Sequence, residues 1–197
     1  MNRRLLKRLP ADTSGLTIVE FALIAPTLLV MLMATFDLGF RSYATAVLQG
    51  EVQKAARDAT LETGSAAGTA LNTRVQDQVS RIVSNGTWNF SRKSYASFTR
   101  AGAAENFTDL NGNGTREVGE CYQDENGNGN WDADLGLGGQ GTSDDIVVYT
   151  ASVTYPRLFP MYGLLGWSQN QTISATTTLR NQPYGTQVTF TPTARCT

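Results

Sequence analysis

The chain has 197 residues, 16 Lys and Arg against 17 Asp and Glu, no His and two Cys, and 41% of it is hydrophobic. A net charge of −1 excludes general nucleic-acid binding, which needs clustered cations to neutralise phosphates. Without His, and with Cys only at 121 and 196, the chain cannot assemble a His/Cys zinc site, a Ser-His-Asp triad or a Cys-His dyad, and no enzyme activity is expected. The charges are unevenly placed: Arg3, Arg4, Lys7 and Arg8 crowd the first eight residues, whereas nine acids lie between Asp109 and Asp145, where Arg116 is the only base. A basic head and an acidic middle point to two separate tasks.

From Leu16 to Phe36, LTIVEFALIAPTLLVMLMATF runs for 21 residues with Glu20 as its one charge, enough helix to cross a hydrocarbon core of about 30 Å. The bases before it and Asp37 after it predict a single-pass topology with the N-terminus cytoplasmic and the remainder across the membrane. A cleaved secretory signal would have a shorter apolar region ending in a small-x-small site. A carboxylate within such a span costs about 2–3 kcal/mol and is kept where something offsets it. If the chain were cut between Gly15 and Leu16, the new α-amino group would start the helix one turn from Glu20. Pro26 removes a backbone donor and predicts a kink.

A short basic leader, Gly15, four residues, Glu20 and an apolar helix resemble the class III signal of type IV pilin-like proteins. More closely, GLTIVEFALIAPTLLVMLMATFDLG resembles the TadE-like family of the tight-adherence (Tad) pilus system through Gly15, Val19, Glu20, Phe21, Ala22 and Pro26. The resemblance covers Leu16 to roughly Thr60. It implies a prepilin-type leader over 1–15, cleaved after Gly15 by a prepilin peptidase at the inner face of the membrane, with Leu16 as the new N-terminus and Glu20 as the assembly carboxylate. It also implies other Tad pilus subunits and inner-membrane assembly proteins as partners, in a bacterial inner membrane.

The spacing of Leu38, Tyr43, Ala46, Val47, Val52 and Ala55 predicts that the helix continues as a periplasmic stem over 37–63. Gly64 to Gly68 interrupts it, and Leu71, Val75, Val79, Ile82 and Val83 predict a second amphipathic helix that Asn85-Gly86 stops. Residues 87–100 read as a strand or hairpin, and 145–155 and 171–180 as strands rich in β-branched residues. Between these two strands, PRLFPMYGLLGWSQN is expected to lay Leu158, Phe159, Leu164, Leu165 and Trp167 over the core; the alternative is an exposed apolar loop touching membrane or a partner. The whole predicts an α+β fold, a long helix packed on a small antiparallel sheet, with 64–197 as the periplasmic domain. Across the membrane, Cys121 and Cys196 stand in an oxidising compartment and are expected to pair, tying the chain's end to its acidic middle.

Residues 109–120 fit the calcium-loop pattern D-x-[DN]-x-[DN]-G-x5-E at Asp109, Asn111, Asn113, Gly114 and Glu120. Hard Ca²⁺ takes six to eight oxygens, and this spacing supplies them at alternate residues, with the Thr115 carbonyl and Glu117 at the seventh and ninth positions. A second copy opens at Asp124, with Asn126, Asn128, Gly129, Asn130 and Asp132 in register. Its twelfth position is Leu135, so Asp134 is the nearest candidate carboxylate. These loops resemble the EF-hand-like calcium loops of extracellular modules, and calcium is expected as a structural clip over 109–135. Without it, nine acids against one base are expected to repel one another. The alternative is a pair of Asn-Gly turns with solvated acids.

The expected function is therefore that of a TadE-like minor pilin or pseudopilin assisting assembly of a Tad pilus for surface adhesion. The alternative is a membrane-anchored periplasmic calcium-binding module that never enters a filament. An enzyme using two acids such as Asp144 and Asp145 is disfavoured, because adjacent strand residues point to opposite faces.

Overall fold

The computed structural model describes residues 15–61, 65–183 and 185–196. The bases of the leader and residues 62–64 lie outside the described residues; of the interruption expected over Gly64 to Gly68, Ser65 to Gly68 instead open a helix, since Ala66 and Ala67 are strong helix formers. The elements are α1 (Leu16–Leu61), α2 (Ser65–Ser80), β1 (Thr87–Tyr95), a 3₁₀ turn (Phe98–Arg100), β2 (Cys121–Asp124), β3 (Leu137–Gly138), β4 (Ile146–Pro156), α3 (Tyr162–Leu165), β5 (Asn170–Arg180) and β6 (Thr193–Cys196). This is the expected α+β arrangement, a long apolar N-terminal helix followed by a small antiparallel sheet.

Helix α1 runs for 46 residues and passes through Pro26 without a break. Its apolar part has a mean hydropathy of 2.1 with none of that window buried. Ile18, Phe21, Leu23 and Ile24 all stand exposed. Water does not tolerate so continuous an apolar surface, and the helix fits a membrane-anchored single-pass protein.

The chain divides into two units. One unit takes the helix up to Tyr43 together with residues 156–171. Here Asp37, 3% exposed, is ion-paired with Arg157, whose guanidinium also donates to the Gln171 side chain at 2.7 Å and to the Ser168 carbonyl at 3.0 Å. The same guanidinium lies 5.0 Å from the centre of the Trp167 ring. Gly166, at φ 68°, ends α3 in a left-handed turn that only glycine adopts without strain. The expectation that this segment covers the core is corrected: Met161 is buried, but Leu158, Leu164, Leu165 and Trp167 are exposed. The physical reason is local. Helix α3 is a single turn with no buried residue of its own, Leu164 and Leu165 included, and the burial in this segment falls on Met161 just ahead of it.

The other unit holds the rest of the described chain. The distal part of α1 buries Ala44, Leu48, Val52, Ala55 and Ala59, and α2 buries Leu71, Val75 and Val79, in both cases at spacings of three and four. Strand β4 alternates strictly and buries Val147, Tyr149, Ala151, Val153 and Tyr155. Each large buried apolar side chain contributes about 1.5–3 kcal/mol relative to exposure. The sheet order is β3-β1-β4-β5. Strands β1 and β4 pair antiparallel from Thr87 opposite Thr154 to Tyr95 opposite Ile146. Residues 87–100 thus make one strand and a 3₁₀ turn, not a hairpin, because β1 finds its partner in β4. Arg92 ties α2 to the sheet, donating to the Gly68 carbonyl and the Asn72 side chain at 2.5 Å each. A Cβ on Gly68 would meet that guanidinium, so a larger residue there would oblige the Arg92 side chain to shift. A second, two-stranded sheet pairs β2 with β6 antiparallel.

Candidate functional site

The amino-terminal end of α1 is organised around Gly15. Its carbonyl accepts the Val19 N–H at 3.2 Å, so helical hydrogen bonding starts at this residue. Glu20 is exposed on the helix one turn beyond Leu16. Side chains on a helix lean toward its N-terminus, so Glu20 covers the turn that begins at Leu16.

The two acidic loops are a structural repeat. In the first, Asp109 accepts the N–H groups of Gly112 at 2.6 Å and Gly114 at 2.7 Å. In the second, Asp124 accepts those of Gly127 at 2.8 Å and Gly129 at 2.9 Å. The Asn111 and Asn113 carbonyls accept the N–H two residues on, and Asn126 and Asn128 do the same. Gly114 and Gly129 both have positive φ, 73° and 82°, as a chain folding back on an aspartate requires. The ninth residue also repeats. Asn111 and Asn113 donate their amides to Glu117, and Asn126 and Asn128 donate theirs to Asp132.

The twelfth position shows what the sequence concealed. Glu120, 4% exposed, accepts the Leu110 N–H at 2.9 Å and the Glu117 N–H at 3.0 Å, which belong to positions two and nine of its own loop. In the second loop the same two positions, Glu125 and Asp132, donate at 2.9 and 3.1 Å to Glu105, which is 1% exposed. Glu105 thus stands where Leu135 carries no carboxylate. Only the gap at Leu135 signalled it, since no spacing rule reaches back from Asp124 to residue 105. Asp134 is the corresponding correction. It accepts from the Lys93 ammonium at 2.5 Å and the Tyr95 hydroxyl at 2.8 Å, at the edge of the main sheet and away from the loop's donors.

The electrostatics follow from these partners. The Gly114 N–H, ahead of those of Gly112 and Asn113, holds the Asp109 carboxyl below the usual carboxylate range against a small loss of hydration. Burial works to raise Asp134, but Lys93, the Gly136 N–H and Tyr95 together outweigh it and hold it low. Burial, with the Asp134 carboxylate adding to it, pushes the Tyr95 hydroxyl up to about 12. The expected mutual repulsion of the acids is relieved from outside the segment: Lys93 meets Asp134, Arg100 meets Glu125, Arg180 meets Asp144 and Arg195 meets Asp124. The Arg195 bond, 2.7 Å from its Nε to Asp124, places a guanidinium on the first residue of the second loop.

Both loops offer an oxygen-only donor set suited to a hard cation. Among the described residues, no group of three or more acidic side chains gathers closely enough to hold a metal alone. A cation at either loop would have to combine carboxylates with Asn and backbone oxygens, and each Asn carbonyl has a second lone pair for this. Asp144 and Asp145 are otherwise engaged. Asp144 pairs with Arg180 at 3.2 Å, and Asp145 accepts from Thr142 and from the Gln187 amide.

Cys121 and Cys196 are joined by a disulfide between directly opposed residues of β2 and β6, as expected. No curated protein and no solved structure matches the chain. Residues 15–59, the helix with Gly15 and Glu20 at its start, match the family model described as TadE-like protein, and this stretch is the TadE-like part of the chain.

Proposed function

We propose that the chain is a TadE-like minor pilin or pseudopilin that takes part in assembly of a Tad pilus for surface adhesion. The observation that carries this reading is the family match over 15–59, which begins at Gly15 and includes Glu20. Cleavage between Gly15 and Leu16 by a prepilin peptidase, at the inner face of the bacterial inner membrane, would create an ammonium at the head of α1. Glu20, one turn on, would neutralise it in its own subunit or in a neighbour. That pairing offsets the cost of about 2–3 kcal/mol of holding a lone carboxylate in an apolar span. The exposed apolar length of α1 would then pack against lipid or against other pilus subunits. The remainder would lie in the periplasm or at the cell surface, and a Cys121–Cys196 disulfide is compatible with such an oxidising compartment.

The acidic loops take calcium in this reading. Asp109, Asn111, Asn113, Thr115, Glu117 and Glu120 would hold it in the first loop. Asp124, Asn126, Asn128, Asn130 and Asp132 would hold it in the second, with Glu105 in the role expected of Asp134. The ion's contribution is to neutralise clustered carboxylates and clip the loops, not to catalyse. The second loop is the weaker site, because Arg195 already occupies one face of Asp124.

A second reading, an anchored calcium-binding module outside any filament, draws on the match ending at residue 59, ahead of the sheet and both loops. Intact-mass measurement of the protein from its native membrane, with and without the prepilin peptidase, separates the two. A chain starting at Leu16 only when the peptidase is present supports the pilin pathway. A chain retaining residues 1–15 in both strains rejects it.

A further inference from the structure

The segment between β4 and β5 carries an inference of its own, and it rests on the reading of α1 as a membrane span. From Leu158 to Asn170 the chain has no Asp, Glu, Lys or Arg, and Leu158, Leu164, Leu165 and Trp167 are exposed, at 52, 78, 39 and 39%. A solvent-facing connection between two strands is ordinarily polar. What fixes this one in place is the buried pair of Arg157 with Asp37.

Asp37 marks a definite depth. It lies 21 residues beyond Leu16, which at 1.5 Å per residue is about 31 Å along the helix, close to the hydrocarbon thickness of about 30 Å. The residue that pins the segment is thus the first charge after the apolar run. The segment brings to that depth a Trp ring under a guanidinium, Tyr162 and three exposed Leu. Tyr and Trp, with apolar body and polar tip, favour the membrane–water boundary, and an Arg there keeps its charge at headgroup level.

We infer that residues 158–167 form a membrane-interface anchor. Leu158, Leu164 and Trp167 enter the boundary of the leaflet on the far side of the span, and the Arg157–Asp37 pair sets their depth. The occupant of the exposed face is the bilayer, which the adjacent apolar helix already contacts.

The full chain reconstituted in phosphatidylethanolamine/phosphatidylglycerol vesicles tests this through fluorescence quenching by brominated lipids. The difference between the native chain and its Trp167→Phe variant isolates the Trp167 emission. Leu164→Trp, at the most exposed position of the segment, gives a second reporter that leaves the packed residues untouched. Leu28→Trp, in the middle of the apolar run, reports the span itself. The expected result is that both segment reporters, Trp167 and the indole introduced by Leu164→Trp, lose most of their emission with bromine near the headgroups and less with bromine near the chain ends. The mid-helix reporter is expected to show the reverse order. Segment reporters equally bright in brominated and plain vesicles, beside a quenched mid-helix reporter, would overturn the anchor and leave the span standing. An unquenched mid-helix reporter would overturn both.

Discussion

Replacing both cysteines by serine tests how the C-terminal end contributes to stability. The disulfide spans 75 residues and encloses β3, β4, β5 and the segment between the last two. On the chain-entropy relation a loop of that length restricts the unfolded chain by about 4.5 kcal/mol. Strand β6 itself can offset little of that loss, since all four of its residues are exposed and it meets β2 chiefly through backbone bonds. For a chain of this size, about 4.5 kcal/mol corresponds to about 9–18 °C in Tm. The assay is thermal and denaturant unfolding of the full chain in detergent, native against Cys121→Ser/Cys196→Ser, with hydrogen exchange followed in β2, β4 and β6. Lower protection confined to β2 and β6, with an unchanged global midpoint, would refute the reasoning, because a cross-link acting on the unfolded chain must destabilise every element it encloses.

In calorimetric titration of the full chain with calcium, Glu120→Gln is expected to weaken the first loop and Glu105→Gln the second, each by about tenfold or ~1.4 kcal/mol. Arg195→Gln should strengthen the second loop by freeing Asp124; indifference of the titration to Glu105→Gln would remove that residue from the donor set. The alkaline limb of stability is expected to include Tyr95, whose hydroxyl is pushed from near 10 up to about 12 by folding, together with Tyr149, which burial also raises. The folded chain retains the Tyr95 proton longer, so its contribution is complete below about pH 10 and lost as pH rises through about 12. Tyr95→Phe should flatten this fall. Asp134 acts with the opposite sign, contributing above the ordinary carboxylate range and losing its contribution as pH falls through its lowered value.

The two loops show where local reading succeeds and where it stops. The repeat of Asp109, Asn111, Asn113 and Gly114 at Asp124, Asn126, Asn128 and Gly129 was legible because each turn is made by a side chain bonding its own backbone two to five residues on. Glu105 and Arg195 were not legible. They reach the second loop from 19 residues before and 71 residues after Asp124, through backbone paths that no short spacing encodes. Asp134 illustrates the complementary error, since a carboxylate near the right position was captured by Lys93 and Tyr95 from another strand. The short strands β2, β3 and β6 escaped for a related reason. Two to four residues are too few to show an alternation, and pairing alone defines them.

What the sequence by itself determined is whatever depends on neighbours along the chain. The apolar run and its flanking charges specified a helix long enough for a bilayer, the Gly15–Glu20 spacing specified the TadE-like start, and the partial alternation in 145–155 specified a strand. Tertiary structure alone decided which charges meet. Of the nine acids with one local base, Asp134, Glu125, Asp144 and Asp124 are paired with Lys93, Arg100, Arg180 and Arg195 from four other places in the chain. Arg157 likewise finds Asp37 across 120 residues and draws the apolar segment to the end of the apolar run of α1. The physical reason is that periodicity and turn chemistry act over one or two turns of chain. A charge is neutralised instead by whatever the folded backbone brings within a few ångströms of it.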